Sequence, residues 1–292
     1  MRGDCAEINL RLNYDKIKNK SFDEERALYA CEDAEIEDCR FEGPADGESA
    51  LKECANISVK NCRFDLRYPL WHCKNLKMTG CTQTENCRAA LWYDENIEIS
   101  DSELGGIKAV RECSNVVLKR DTINSPEFGW RSRNIKLKDV KLNSMYAFFE
   151  GQNIDAEELD LEGKYTFQYI KNSVFRNCRF QTKDAFWHAE NVTVYDSFIG
   201  GEYTAWYSKN LTLVRCHIKG TQPLCYCEGL KLIDCTTEDC DLTFEYSDVD
   251  ATIKGGIVSI KNPESGKICA DSIGSLIITK DSRRKICAEI YE

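Results

Sequence analysis

Several things are scarce in this 292-residue chain, and each scarcity excludes something. It holds only five prolines, three histidines and three methionines. No apolar run approaches the roughly 18 residues a membrane-spanning helix needs, so a helical membrane protein is excluded. The start, MRGDCAEINLRLNYD, carries no apolar signal segment. Basic excess is absent: 39 Lys and Arg face 49 Asp and Glu, for a net charge of −10. A nucleic-acid or anionic-membrane partner, which needs basic patches, is not expected. No CxxC pair occurs, and His72, His188 and His217 stand far apart in the chain. A zinc or iron–sulfur site therefore lacks its usual ligand spacing, and no metal or cofactor is expected. Glycine-rich phosphate loops are missing too, since Gly105-Gly106 and Gly200-Gly201 read as turn glycines.

What is abundant is cysteine, seventeen in all, and an order that repeats. Asparagines fall at 56, 75, 96, 115, 134, 153, 172, 191 and 210, followed by Gly229; eight of these nine steps are nineteen residues and the other is twenty-one. Asp33 opens the series, before an insertion containing GPADGES, and Asp248 extends it. Asn, Asp and Gly are the residues that tolerate the left-handed backbone region, so the column marks one sharp corner made repeatedly. One and three residues after each corner come apolar pairs such as Ile57 and Val59, Ile97 and Ile99, Leu211 and Leu213. Period-2 alternation of this kind indicates a very short strand. In most coils Cys, Ser or apolar residues six after the corner and Phe, Leu or Ile eight after it give a second strand, and the six residues before the corner a third.

Three short strands in a nineteen-residue unit leave no room for a helix. The pattern specifies an all-β, right-handed single-stranded parallel β-helix (a solenoid) of about 12–13 coils stacked about 4.8 Å apart. A single domain is expected over 1–292: an N-terminal cap at 1–26, regular coils at 27–237, and irregular last coils with a C-terminal cap at 238–292. The coil formula W-x-C-x-N-hydrophobic-x-hydrophobic and the opening segment FDEERALYACEDAEIEDCRF resemble bacterial right-handed β-helix proteins of the pectin-lyase-like superfamily. More narrowly they resemble a family described only as a domain of unknown function. The resemblance covers residues 20–280; it implies the fold and carries no activity.

Eleven of the seventeen cysteines lie in two columns, six after the corner (Cys39, Cys62, Cys81, Cys178, Cys216, Cys235) and two before it (Cys31, Cys54, Cys73, Cys113, Cys227). Ser, Ala, Gly, Val or Ile fill most of the same columns elsewhere, so these thiols are expected to be interior packing. Stacked Cβ bonds point the same way, which disfavours disulfides. Reduced thiols and a cytoplasmic location are the expectation.

The segment before the corner is the least ordinary. Strict alternation puts the column four before the corner (Trp71, Trp92, Arg111, Trp130, Trp187, Trp206) inside as a core stack. It leaves outside the column five before it, including Leu91, Phe148, Phe167 and Phe186. Such a ladder would be an apolar seam for a second copy of the chain. Three before the corner, facing outward, come Tyr93, Glu112, Arg131, Glu150, Tyr169, His188 and Tyr207. Aromatic rings beside charges suit a saccharide: Tyr93, Tyr169, His188 and Tyr207 are the candidate ligand-binding residues. Glu112, Arg131 and Glu150 are the weak catalytic candidates. Two carboxyls two coils apart, about 9.6 Å, match an inverting glycosidase, but Arg131 between them favours ionisation of both. A surface ion-pair ladder is the plainer reading of the trio. The function expected is thus a non-catalytic binding or structural module, with a carbohydrate-active enzyme (polysaccharide lyase or glycoside hydrolase) as the alternative.

Overall fold

The computed structural model describes residues 16–43, 47–280, 282 and 286–292. Among these the chain is all β, with no α-helix. Fifteen strands stack in parallel register from Lys16↔Glu35 to Lys267↔Glu289, which makes fourteen turns of a parallel β-solenoid. The steps follow the nineteen-residue repeat: Ile97 pairs with Val116, and Val116 with Ile135.

The ladder is longer than the 12–13 coils expected, because both ends keep the coil after the sequence pattern fades. Lys16–Lys18 and Ser21–Phe22 already pair with the following coil, inside the segment assigned to the N-terminal cap. The rest of that expected cap, 1–15, lies outside the described residues. At the other end Asp248–Lys261 and Ser265–Ile277 continue the sheet, absorbing lost residues as register shifts at Leu232/Cys235 and Ile253/Gly256. Bulges let a ladder survive changes in coil length.

Each coil has two strand columns. One follows the Asn corner, as in Glu95–Ser100 and Ser114–Lys119. The other follows a second corner five residues on, as in Glu103–Gly105 and Thr122–Asn124. Both corners are left-handed: Asn96 and Asn115 have φ of 59° and 57°, Asp101 and Arg120 of 54° and 56°. In eight steps from Asp33 to Asn210 the Asn side-chain Nδ2 donates to the Oδ1 one coil back, at 2.7–3.2 Å. Asp33 is an apt first member, since the carboxylate there only needs to accept.

The cysteine columns sit inside, buried and free, as their neighbours in the columns implied. Their residue choice has a further cause. At the second corner the inward slot's own N–H points at the next coil's side chain: Cys39 N donates to Cys62 Sγ (3.4 Å), Cys81 N to Ser102 Oγ (3.0 Å) and Ser102 N to Asp121 Oδ1 (2.9 Å). The slot also faces a carbonyl, to which Cys62 Sγ and Ser102 Oγ donate (Lys60 O at 3.3 Å, Ser100 O at 2.8 Å). A small side chain that both accepts and donates meets both needs of a buried backbone. Burial pushes the Cys31, Cys178 and Cys227 thiols up to about 11, and Cys87 and Cys240 to about 12. These are not nucleophiles at neutral pH.

The third segment is where alternation fails. It is not a continuous strand: Leu70–Trp71, Leu91–Trp92 and Val110–Arg111 form one small sheet, Glu127–Phe128 and Tyr146–Ala147 another, and later coils pass through turns. Residues three before the corner are left-handed in every coil from Glu53 (φ 64°) to Tyr226 (φ 62°), and from Gly129 onward so are residues five before it. Each left-handed residue rotates the chain, and the period-2 rule holds only for extended backbone. Leu91, Phe148, Phe167 and Phe186 are consequently 0% exposed. Their assignment as an exposed interface is corrected: they are core. Phe167 stacks on Phe186 (4.8 Å) and meets Phe175 (4.9 Å) and Phe180 (5.0 Å) edge-on, so three columns converge on the coil axis. The tryptophans move the other way, to a half-buried lip, with Trp71, Trp130, Trp187 and Trp206 Nε1 donating to a carbonyl of the next coil.

The backbone also changes its hydrogen-bond direction along this segment. Leu91 N donates forward, to Ala109 O of the following coil; Phe148 N and Phe167 N donate backward, to Phe128 O and Ala147 O. The switch falls at Gly129, whose φ is +71° and whose N–H donates back to Val110 O. A Cβ there would come within 2.6 Å of the Phe148 ring. Glycine is therefore required at the joint both by conformation and by space.

Candidate functional site

The residues three before the corner form one line down the third face, so Tyr93, Glu112, Arg131, Glu150, Tyr169, His188 and Tyr207 are successive members of a single ladder. Their backbone makes it straight: the N–H of Tyr169, His188 and Tyr207 donates to Trp187 O, Trp206 O and Cys225 O of the next coil, at 2.8–3.2 Å. Toward the C-terminal end the rings stack face to face. Tyr169–His188, His188–Tyr207 and Tyr207–Tyr226 centroids lie 4.8, 5.1 and 4.8 Å apart, with planes within 7°, 9° and 12°. Toward the N-terminal end His72 and Tyr93 stack likewise, at 5.1 Å. Tyr93, Tyr169 and Tyr207 remain 43–45% exposed. Beside the outer ladder runs the inner one, with Trp187 and Trp206 parallel within 2° at 5.4 Å.

Face-to-face stacking covers ring faces and leaves ring edges, with hydroxyls and imidazole nitrogens, toward solvent. The charges flanking the ladder are paired across coils: Lys171–Glu190 at 2.8 Å, Lys183–Glu202 at 2.9 Å and Lys209–Glu228 at 2.9 Å. At the end of the line Tyr226 meets Glu245, itself 2.8 Å from Lys261, and burial pushes the Tyr226 phenol up to about 12.

Charge interrupts the aromatic line at the joint. Arg131 Nε lies 2.7 Å from Glu150 Oε2, and Arg111 Nε 3.3 Å from Glu112 Oε1. Each of the two acids proposed for catalysis is thus half of an ion pair, the arrangement of a surface charge ladder. Arg111 is the better-held cation: it lies between the Trp92 and Trp130 rings, 5.0 and 5.2 Å from their centroids, and 3.7 Å from Glu127. Lys108 reaches the same Glu127 oxygen at 3.8 Å. A guanidinium between two indoles is a strong form of cation–π contact. It accounts for the one arginine in the Trp column, whose charge is held between two rings and paired with Glu112 and Glu127. Its involvement with Glu127 had no sequence signal, because Glu127 lies outside the columns that stood out. Tyr226 could have been found: it is the next member of the Tyr/His column.

Fold and face together define the class, a parallel β-solenoid with an axial ladder of exposed rings along one side. The chain belongs to the family described as "Protein of unknown function (DUF3737)", whose model matches residues 15–291. No curated protein matches it. Among solved structures it is similar to PfbA, a surface adhesin of Streptococcus pneumoniae (12% identity, 85% of this chain and 75% of that one, TM-score 0.39). It is also similar to a double mutant of the periplasmic alginate epimerase AlgG (9% identity, 89% and 76%, TM-score 0.25). A third is the catalytic domain of a GH87 alpha-1,3-glucanase in complex with nigerose (11% identity, 96% and 58%, TM-score 0.23). At these identities and scores the likenesses bear on neither ligand nor activity.

Proposed function

We propose that this protein is a non-catalytic binding module that holds an extended, neutral saccharide along its third face. The observation that carries this reading is the Tyr169–His188–Tyr207–Tyr226 ladder. A bulky residue in the left-handed region costs about 1–2 kcal/mol, whereas Asn or Gly costs little. Ring stacking returns about 0.5–1.5 kcal/mol per pair, so the ladder comes close to break-even as a stabilising device. Half-exposed rings kept where Asn would fold as well support a role outside folding. Their outward edges offer hydrogen-bond donors and acceptors at one-coil spacing, and the paired charges leave little to attract a charged polymer. A catalytic role finds less support, because Glu112 and Glu150 are both engaged by arginine.

Affinity electrophoresis through gels containing soluble neutral polysaccharides (xyloglucan, galactomannan, mixed-linkage glucan) tests the reading, with polygalacturonate as the charged comparison. The expected result is retardation by at least one neutral polymer, abolished in the double variant Tyr169→Asn/Tyr207→Asn. Equal mobility in every gel, or a double variant retarded like the wild type, overturns it.

A further inference from the structure

One turn of the solenoid buries a polar side chain where the coils on either side bury an apolar one. The column eight after the corner reads Phe41, Phe64, Gln83, Leu104, Ile123 and onward in Leu, Phe and Ile as far as Ile218, before the half-buried Thr237. Gln83 pairs in register between Phe64 and Leu104. Its side chain points into the core with them, and the residue is 2% exposed. Neither Oε1 nor Nε2 has a hydrogen-bond partner among the described residues. The same turn holds two more buried polar atoms without such a partner, Trp92 Nε1 and Asp94 Oδ2. It is also the turn with the twenty-one-residue step, Asn75 to Asn96, and its two extra residues fall between Gln83 and Leu91.

An orphan amide in an apolar interior is costly, and buried polar groups in folded proteins are almost always satisfied. We infer that the turn between Asn75 and Asn96 encloses an internal binding site for ordered water, centred on the Gln83 carboxamide. The chemistry selects the ligand. Gln83 offers two N–H donors and a carbonyl acceptor at one point, and water is the small species that both donates and accepts. A cation would face the amide hydrogens and an anion the carbonyl, so neither satisfies both ends of the carboxamide.

The test needs two readings. A crystal structure of the wild type at about 1.5 Å, or water-to-side-chain cross-relaxation at the Gln83 amide protons by NMR, reads the water directly. Thermal unfolding of Gln83→Leu reads its energetics. With water bound, density lies within hydrogen-bond distance of Oε1 or Nε2, and Gln83→Leu unfolds within about 2 °C of the wild type, because a satisfied amide is exchanged for an apolar side chain of similar volume. A dry amide, or a rise in Tm of several degrees in Gln83→Leu, overturns the inference, since relief of an orphan would then be the larger effect. The wild-type measurement stands even where the variant fails to fold.

Discussion

Two columns of this solenoid adopt the same left-handed backbone in coil after coil and fill it with opposite kinds of residue. At the Asn corner the occupants from Asp33 to Gly229 are only Asp, Asn and Gly. Three residues earlier, from Glu53 to Tyr226, none of the ten is. At the corner, conformation and side chain agree: the residues that tolerate positive φ also bond to one another down the rod. On the third face they disagree, and rings or long charged side chains stay in a conformation that disfavours them. The difference separates a column chosen for folding from one on which folding places weak demands. Strained non-glycine residues that persist in a line invite a functional reading.

The comparison is broken most severely at the corner. Asn134 donates to Asn115 at 2.8 Å and accepts from Asn153 at 2.9 Å, at a φ of 56°. Asn134→Ala removes both bonds and forces a Cβ-bearing residue without a local hydrogen bond into the left-handed region. The expected loss is about 2–4 kcal/mol, read from urea unfolding. Asn134→Gly separates the parts: it restores the backbone and should lose only about half as much. Equal losses in the two variants would mean that the ladder bonds, and not conformation, select asparagine.

That corner was legible in the sequence because its residue types are diagnostic and its spacing is regular. The strands after it, the inward cysteines and the outward Tyr/His/Glu line followed from it. What could not be read was the course of the chain between Gly129-type joints and the next corner. A left-handed Phe148 or Phe167 carries no signature, since φ at a bulky residue is imposed by its neighbours. Alternation therefore placed Phe167 outside, and Ala205 with it, when both are 0% exposed. The coil number came out low for a related reason. The hydrogen-bonded register continues past Glu238, after the nineteen-residue side-chain pattern that announced it has faded.

The second corner sharpens the comparison with a smaller and pH-dependent effect. Behind left-handed Arg120 the inward slot is Asp121, 1% exposed, with Oδ1 accepting Ser102 N–H and Oδ2 accepting Lys119 N–H, both at 2.9 Å. Burial raises this carboxyl to about 6; the two N–H bonds and Arg120 oppose the rise and Asp101 adds to it. The folded state thus binds the proton more tightly than the unfolded chain. Asp121 contributes its full stability below about 4, and that contribution is lost as pH rises through about 6. Against Asp121→Ser, which copies the column's own Ser102, the wild type should gain roughly 1–3 kcal/mol between pH 7.5 and pH 4. Parallel stability profiles for the two proteins would show that the slot tolerates the charge.

The smallest expected effect is the one that bears most on function. Tyr207→Asn places the corner's own residue at φ 60° on the third face. It gives up two stacks, on His188 at 5.1 Å and on Tyr226 at 4.8 Å, each contributing about 0.5–1.5 kcal/mol. It relieves about 1–2 kcal/mol of backbone strain, and Tyr207 is already 43% exposed. The terms nearly cancel, so urea unfolding should place the variant within about 1 kcal/mol of the wild type. Glu150→Asn, which breaks a half-exposed pair with Arg131, should be as mild, because such pairs contribute about 0–1 kcal/mol. A loss beyond about 3 kcal/mol in Tyr207→Asn would make the ring ladder a folding device like the asparagine ladder. The contrast between the two columns would then concern only how each is stabilised. A mild loss leaves the rings without a structural reason, and the polysaccharide gels then decide what they are for.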